Sequence, residues 1–122
     1  MIYLYCASLP DNLSLTETAE YLKAYFPGES NSEYIENIGS RAPARAAEGL
    51  FSLLLLSRMI DDHFPICKES SKLILARNEN GKPSFQDGKP CFNISHSGGI
   101  VACALSDNGE VGVDIEAARP TP

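Results

Sequence analysis

The 122-residue sequence predicts an α+β domain, with an antiparallel sheet of short strands packed against one long central helix. Three observations predict it. A β-rich opening is followed by two helical patterns, and from Pro65 onward the apolar residues switch to alternation. Near the end, Asn108-Gly109 marks a tight hairpin turn, because both residues tolerate positive φ.

Ile2 to Ala7 alternates and is rich in β-formers, which predicts a strand. Ser14 followed by Glu17 fits a capping box, and Leu15, Ala19, Leu22 and Phe26 then recur at helical spacing until Pro27-Gly28. Residues 28–40 are polar, contain Gly28 and Gly39, and read as a loop. From about Ala44 to Ile60, apolar positions surround much of a helix whose only glycine is Gly49. Leu73 to Ala76, Pro83 to Phe85, Cys91 to Ser95, Ile100 to Leu105 and Val111 to Ile115 are the predicted strands of a meander. The segment Ala117 to Pro122 reads as the opening of a linker, and the sequence shows neither an internal repeat nor a low-complexity stretch.

Composition narrows the function classes. The chain is 43% hydrophobic and 21% charged, as expected of one soluble domain with a single core. The leucine run Leu53 to Leu56 is far too short to span a bilayer, and the start lacks a basic n-region and a cleavage site. A cytoplasmic location without membrane attachment is therefore expected. Cys6, Cys67, Cys91 and Cys103 form no C-x-x-C pair, so reduced, mostly buried thiols are expected rather than a zinc or redox site. Net charge is −6, yet unevenly spread: residues 1–40 carry six acids against Lys23 alone, whereas residues 41–89 carry eight basic residues against six acids. Nucleic acid is excluded as a partner, and a local anion pocket in the middle of the chain remains open.

Four groups of residues can carry chemistry. Asp114 and Glu116, two apart at the end of a predicted strand, project to one side of the sheet, where they can hold a hard cation such as Mg²⁺. Ser95 and His96, followed by Ser97-Gly98-Gly99, are expected at a turn after a strand, where a hydroxyl and an imidazole suit phosphate oxygens. Lys82 sits in a Gly81-Lys82-Pro83 turn as a point cation on a fixed backbone. Arg41 and Arg45, four apart at the start of the predicted central helix, offer two guanidinium groups beside the positive end of the helix dipole. Each has a plainer counterpart: a solvated strand end, a histidine satisfied by local hydroxyls, a surface lysine, two solvated arginines. Asp61-Asp62-His63, though ligand-like in composition, reads as the exposed end of the helix.

Gly81-Lys82-Pro83, then Phe92-Asn93-Ile94-Ser95-His96-Ser97, then Val111-Gly112-Val113-Asp114-Ile115-Glu116 stand in the order and approximate spacing of a known family. With Arg45 and Gly49 four residues apart, the chain resembles the surfactin-synthetase-type 4′-phosphopantetheinyl transferases over roughly residues 40 to 120. The resemblance implies one lobe of a pseudo-twofold enzyme with coenzyme A in the cleft between lobes. It also implies that Arg45, helped by Arg41, grips the 3′-phosphate, that Lys82, Ser95 and His96 hold the other phosphates, and that Asp114 and Glu116 bind Mg²⁺. The implied partner is an acyl or peptidyl carrier protein, whose serine attacks the β-phosphate of coenzyme A and releases 3′,5′-ADP.

The family's second lobe carries a Lys-Glu-x-x-x-Lys helix that supplies a further metal-binding acid, a general base and a phosphate-binding lysine. Lys68-Glu69-Ser70-Ser71-Lys72 imitates part of it but precedes the Asp-x-Glu pair. No catalytic residue is therefore assigned, and the chain is expected to be the amino-terminal lobe, inactive alone as a truncated product. The compact holo-carrier synthases are excluded, since they place the Asp motif near the start. The alternative function is a non-catalytic coenzyme A-binding or interaction module that keeps the lobe fold. In either case an exposed apolar face should favour self-association.

Overall fold

The first strand of the chain does not pair with its sequence neighbours; it lies against the last described one. In the computed structural model, which describes residues 1–65, 67, 73–79, 81–107, 109 and 112, β1 (Ile2–Ser8), β4 (Cys91–Ser97) and β5 (Ile100–Ser106) form an antiparallel sheet. Its order is β1-β5-β4. Between β1 and β4 come the helices α1 (Leu15–Tyr25), α2 (Glu29–Gly39) and α3 (Pro43–His63), then β2 (Leu75–Arg77) and β3 (Pro83–Phe85), which make a separate antiparallel pair. The architecture is α+β with antiparallel sheets, as the sequence predicts. The simple meander is corrected, because the middle strand β5 is flanked by the start of the chain rather than only by its hairpin partner.

Register follows from alternation. Tyr3 and Tyr5 of β1, Leu105, Cys103 and Val101 of β5, and Phe92, Ile94 and His96 of β4 share the face turned toward α3. The other face carries Ile2, Leu4, Cys6 and Ile100, and here Ile2 and Leu4 are 61% and 59% exposed. Gly98 and Gly99 close the β4–β5 hairpin at φ 58° and 80°, a turn that two residues of positive φ make compatible with strand twist. Ser95 and His96 are consequently inside a strand, not at the turn that the sequence suggests.

The helical layer contains one element that the sequence reading assigns to a loop. In α2 the buried residues are Asn31, Ile35 and Ile38, one per turn, so its inward stripe is narrow and begins with a polar residue. Asn31 explains why. Its Nδ2 donates to Leu73 O at 2.9 Å and Pro27 O at 3.1 Å, and its Oδ1 accepts from Leu75 N at 2.8 Å. One buried amide thus satisfies the backbone of the chain entering β2, as a neighbouring strand would.

At the N-terminus of α1, Ser14 Oγ accepts from Glu17 N as the capping pattern predicts. The third helix starts with Pro43 at its first position and runs three residues beyond the predicted Ile60. Leu50, Leu53, Leu56, Met59 and Ile60 bury its inner face against the sheet and the other helices. Its end is less open than expected. Asp61 and Asp62 are exposed, but the His63 ring stacks on Tyr3 at 3.6 Å between centroids, and Tyr5 Oη donates to Asp62 Oδ2 at 2.6 Å. That bond holds the Asp62 carboxyl below its usual range and the Tyr5 hydroxyl above its own.

The cysteine expectation is corrected in part. Cys103 is buried, and desolvation pushes its thiol up to about 12, while Cys67 and Cys91 are half-buried and Cys6 is exposed. Cys6 faces outward because alternation along β1 puts it beside Leu4 on the open face. Among the described residues, no helix is long and apolar enough to cross a membrane. The predicted strand Val111 to Ile115, the residue Asn108 and the Lys68 to Lys72 segment lie outside the described residues.

Asn31→Leu should cost about 2–3 kcal/mol in urea unfolding, since it leaves Leu73 O and Leu75 N buried without partners. A loss under about 0.5 kcal/mol would show that water replaces the amide. For Asp62 the folded carboxyl protonates at lower pH than the unfolded one. Its contribution is therefore complete above about pH 4 and disappears as pH falls through the folded value. Thermal melts of Asp62→Asn should accordingly lose part of the wild-type decline below that pH.

Candidate anion-binding site

Among the described residues, the ion pairs join Met1 to Asp107, Lys23 to Glu36, Arg58 to Asp62 and His96 to Glu48; none uses Arg41, Arg45, Arg77, Lys82 or Lys89, although the protein is acidic. Arg77 and Lys82 line one cleft and Arg41 and Arg77 both act on Tyr34, so these three form a local positive potential in a chain of net charge −6.

Lys82 is placed by its hairpin. Gly81 N donates to Asn78 O at 2.9 Å, Asn78 N donates to Lys82 O at 2.8 Å, and Lys82 N donates to Asn78 Oδ1 at 3.0 Å. Gly81, at φ 77°, supplies the left-handed residue that this turn requires. The turn rims a cleft of about 500 Å³, with Lys82, Arg77 and Asn93 among its polar lining and Phe85, Phe92 and Pro90 among its apolar lining. Such a cleft accepts a ligand with one flat apolar part and one anionic part.

Arg77 is the residue that sequence reasoning misses. Its Nη1 donates to Gly81 O at 2.9 Å, and its guanidinium lies 5.8 Å from the centre of the Tyr34 ring on α2. Burial holds the Tyr34 hydroxyl above its ordinary value, while the fields of Arg77 and Arg41 pull it the other way. Both guanidinium groups are therefore close to one tyrosine. The signal in the sequence was only the odd alternation of Leu75-Ala76-Arg77, whose third residue leaves the core at the strand end.

Arg41 and Arg45 are not both on the helix. Ala42 is the N-cap and Pro43 the first residue, so Arg41 precedes α3 while Arg45 lies in its first turn, and no side chain caps that end. Arg41 folds back toward Gly49: a Cβ built on Gly49 would stand 3.6 Å from Arg41 Nη1 and 2.5 Å from Ile38 Cγ2. At Gly49, therefore, α2 approaches α3 too closely for a side chain, which gives a glycine there a packing reason.

His96 is half exposed, and its Nδ1 lies 3.1 Å from Glu48 Oε2, in the helical turn after Arg45. Alternation sends Ser95 to the opposite face, beside Ala102 of β5. Among the described strands β4 is at the edge of its sheet. The structure therefore joins Lys82 to Arg77 in the cleft and His96 to Glu48 near Arg45. Asn93, at the cleft, is three residues and roughly 10 Å along β4 from His96. Asp114 and Glu116 lie outside the described residues, and among the described residues no three His, Cys, Asp or Glu side chains converge as a metal set.

No family model matches the chain. A protein named 4′-phosphopantetheinyl transferase AcpT from Salmonella typhimurium is 44% identical over 77 residues, covering 62% of this chain and 35% of that protein. Its namesake in Escherichia coli K12 is 58% identical over 43 residues, covering 34% of this chain and 22% of that protein. These matches support a 4′-phosphopantetheinyl transferase family. The chain spans about a third of the length of the first of these curated relatives. A protein of Escherichia coli K12 named only as uncharacterized, YieE, is 48% identical over 42 residues, covering 34% of this chain and 17% of that protein.

Gly49→Ala should destabilise the fold even though alanine is the better helix former by about 1 kcal/mol. The added methyl meets Ile38, a β-branched side chain with no room to turn aside, so thermal unfolding should move down by several degrees. A rise in melting temperature would show that α2 yields at this contact.

Proposed function

We propose that the chain provides the coenzyme A-binding part of a surfactin-synthetase-type 4′-phosphopantetheinyl transferase that serves an acyl or peptidyl carrier protein in the cytoplasm. The observation that carries this reading is a half-apolar cleft in an acidic protein lined by Arg77 and Lys82, neither of them in an ion pair, with Arg41 acting on the same Tyr34 as Arg77. Arg45 with Arg41 takes the 3′-phosphate, and Lys82 with His96 and Ser95 takes the remaining phosphates. The relatives named 4′-phosphopantetheinyl transferase support the activity in general.

In the reaction the serine hydroxyl of the carrier attacks the β-phosphate of coenzyme A, the serine proton leaves, and the P–O bond to 3′,5′-ADP breaks. These side chains act by neutralising charge on the phosphates and holding them in line. Asp114 and Glu116 are proposed ligands for Mg²⁺, which when bound offsets pyrophosphate charge. The open face bearing Ile2, Leu4 and Ile100 supports self-association there.

Titration calorimetry with coenzyme A and Mg²⁺ tests the reading. Binding should weaken by roughly tenfold or more in Arg45→Ala and in Lys82→Ala, as expected for loss of a charge-assisted bond to phosphate. Absence of any heat with coenzyme A or 3′,5′-ADP would overturn it.

A further inference from the structure

We propose that Arg77 is a positioning residue that holds the backbone of Lys82 in place for a phosphate and is itself held by Tyr34 of α2. The inference rests on the proposed coenzyme A site, in which Lys82 is a phosphate ligand. A lysine ammonium is a point charge on a flexible stem, so where it can act is set by where its backbone is fixed. The N–H and C=O groups of Gly81 and Lys82 are all bonded. Asn78 N donates to Lys82 O at 2.8 Å, Lys82 N donates to Asn78 Oδ1 at 3.0 Å, and Gly81 N donates to Asn78 O at 2.9 Å. The remaining group, Gly81 O, accepts from Arg77 Nη1 at 2.9 Å.

The bonds to Asn78 close the hairpin on itself and would form wherever the hairpin lay. The Arg77 bond differs, because the same guanidinium lies 5.8 Å from the centre of the Tyr34 ring, within reach of the attraction between a cation and an aromatic face. Register brings it there. Leu75 is opposite Phe85 and Arg77 opposite Pro83, and residues two apart on a strand share a face, so Arg77 continues the buried face of Leu75 and Phe85 to the strand end. A guanidinium is planar with its donors in a fixed fork, so the bond to Gly81 O and the contact with Tyr34 make a short, stiff link between α2 and the lysine turn. A turn ordered before the ligand arrives removes the cost of ordering it on binding. The rival role, in which Arg77 meets the phosphate as a second cation of the cleft, predicts a different dependence on Lys82.

The experiment is calorimetric titration of the 122-residue chain with coenzyme A and Mg²⁺, arranged as a double-mutant cycle with Lys82. Arg77→Met keeps the apolar stem of an exposed side chain and removes every donor. It should weaken binding roughly tenfold, the size of one bond to a charged group. In a Lys82→Ala background the same change should have no further effect, because the turn then presents no charge. Tyr34→Leu, which keeps an apolar side chain but removes the ring, should follow the same pattern. Equal weakening in the two backgrounds would overturn the proposal, since an independent phosphate contact or a loss of folded protein produces that result. Wild-type affinity in Arg77→Met or in Tyr34→Leu counts against it equally. If coenzyme A binds to no version, the proposed function fails, and amide hydrogen exchange then tests the link by itself. In Arg77→Met, exchange at Gly81 and Lys82 should quicken several-fold relative to that at Leu105 in the core; an unchanged ratio would overturn the assignment.

Discussion

A single buried amide couples the helical layer to the hairpin that presents Lys82. Asn31 of α2 bonds the backbone on either side of Ile74, at the entry to β2, and nothing else in the described structure ties the two-stranded pair so directly to a helix. The pair is too small to be stable by itself, since an isolated hairpin is marginal in water. Its position, and that of Arg77 and Lys82 with it, therefore depends on its packing against α2 and β4. The position of α2 in turn depends on Gly49, which lets Ile38 approach α3 closely.

Charge is organised around the same contacts. Apart from Asp11, which precedes α1, the acids of the first forty residues are set on exposed faces of the first two helices, and Glu36 is paired with Lys23. Arg41, Arg45, Arg77 and Lys82 join no ion pair among the described residues, at the start of α3 and on the β2–β3 hairpin. Ion pairs at exposed sites contribute little to stability, so leaving these residues unpaired costs the fold little. It keeps their donors available to an anion. The Arg77 guanidinium serves both ends, fixing the lysine turn through Gly81 O and meeting the aromatic face of Tyr34.

Much of this was legible in the sequence. Period-two alternation located β1, β3, β4 and β5, the Ser14 cap located α1, and a run of leucines located α3. The site residues Lys82, Arg45 and His96 could be singled out because glycine turns, helix starts and strand ends expose polar groups. The helix α2 was not legible, because its inward stripe starts with asparagine and a hydrophobic period cannot count a polar core residue. Nor was Arg77, a cation at the end of a short strand, or Glu48, which looks like any helix glutamate until β4 is packed beside it.

Local patterns in the chain determined which segments are helix or strand and which side chains face outward, because those depend on neighbours within a few residues. Tertiary structure alone decided that β1 joins β5, that Ser95 and His96 point to opposite faces of one strand, and that Glu48 meets His96 across 48 residues of sequence. The physical reason is that pairing and contact between distant segments are set by the shape of the whole buried core. No short window of sequence contains that shape.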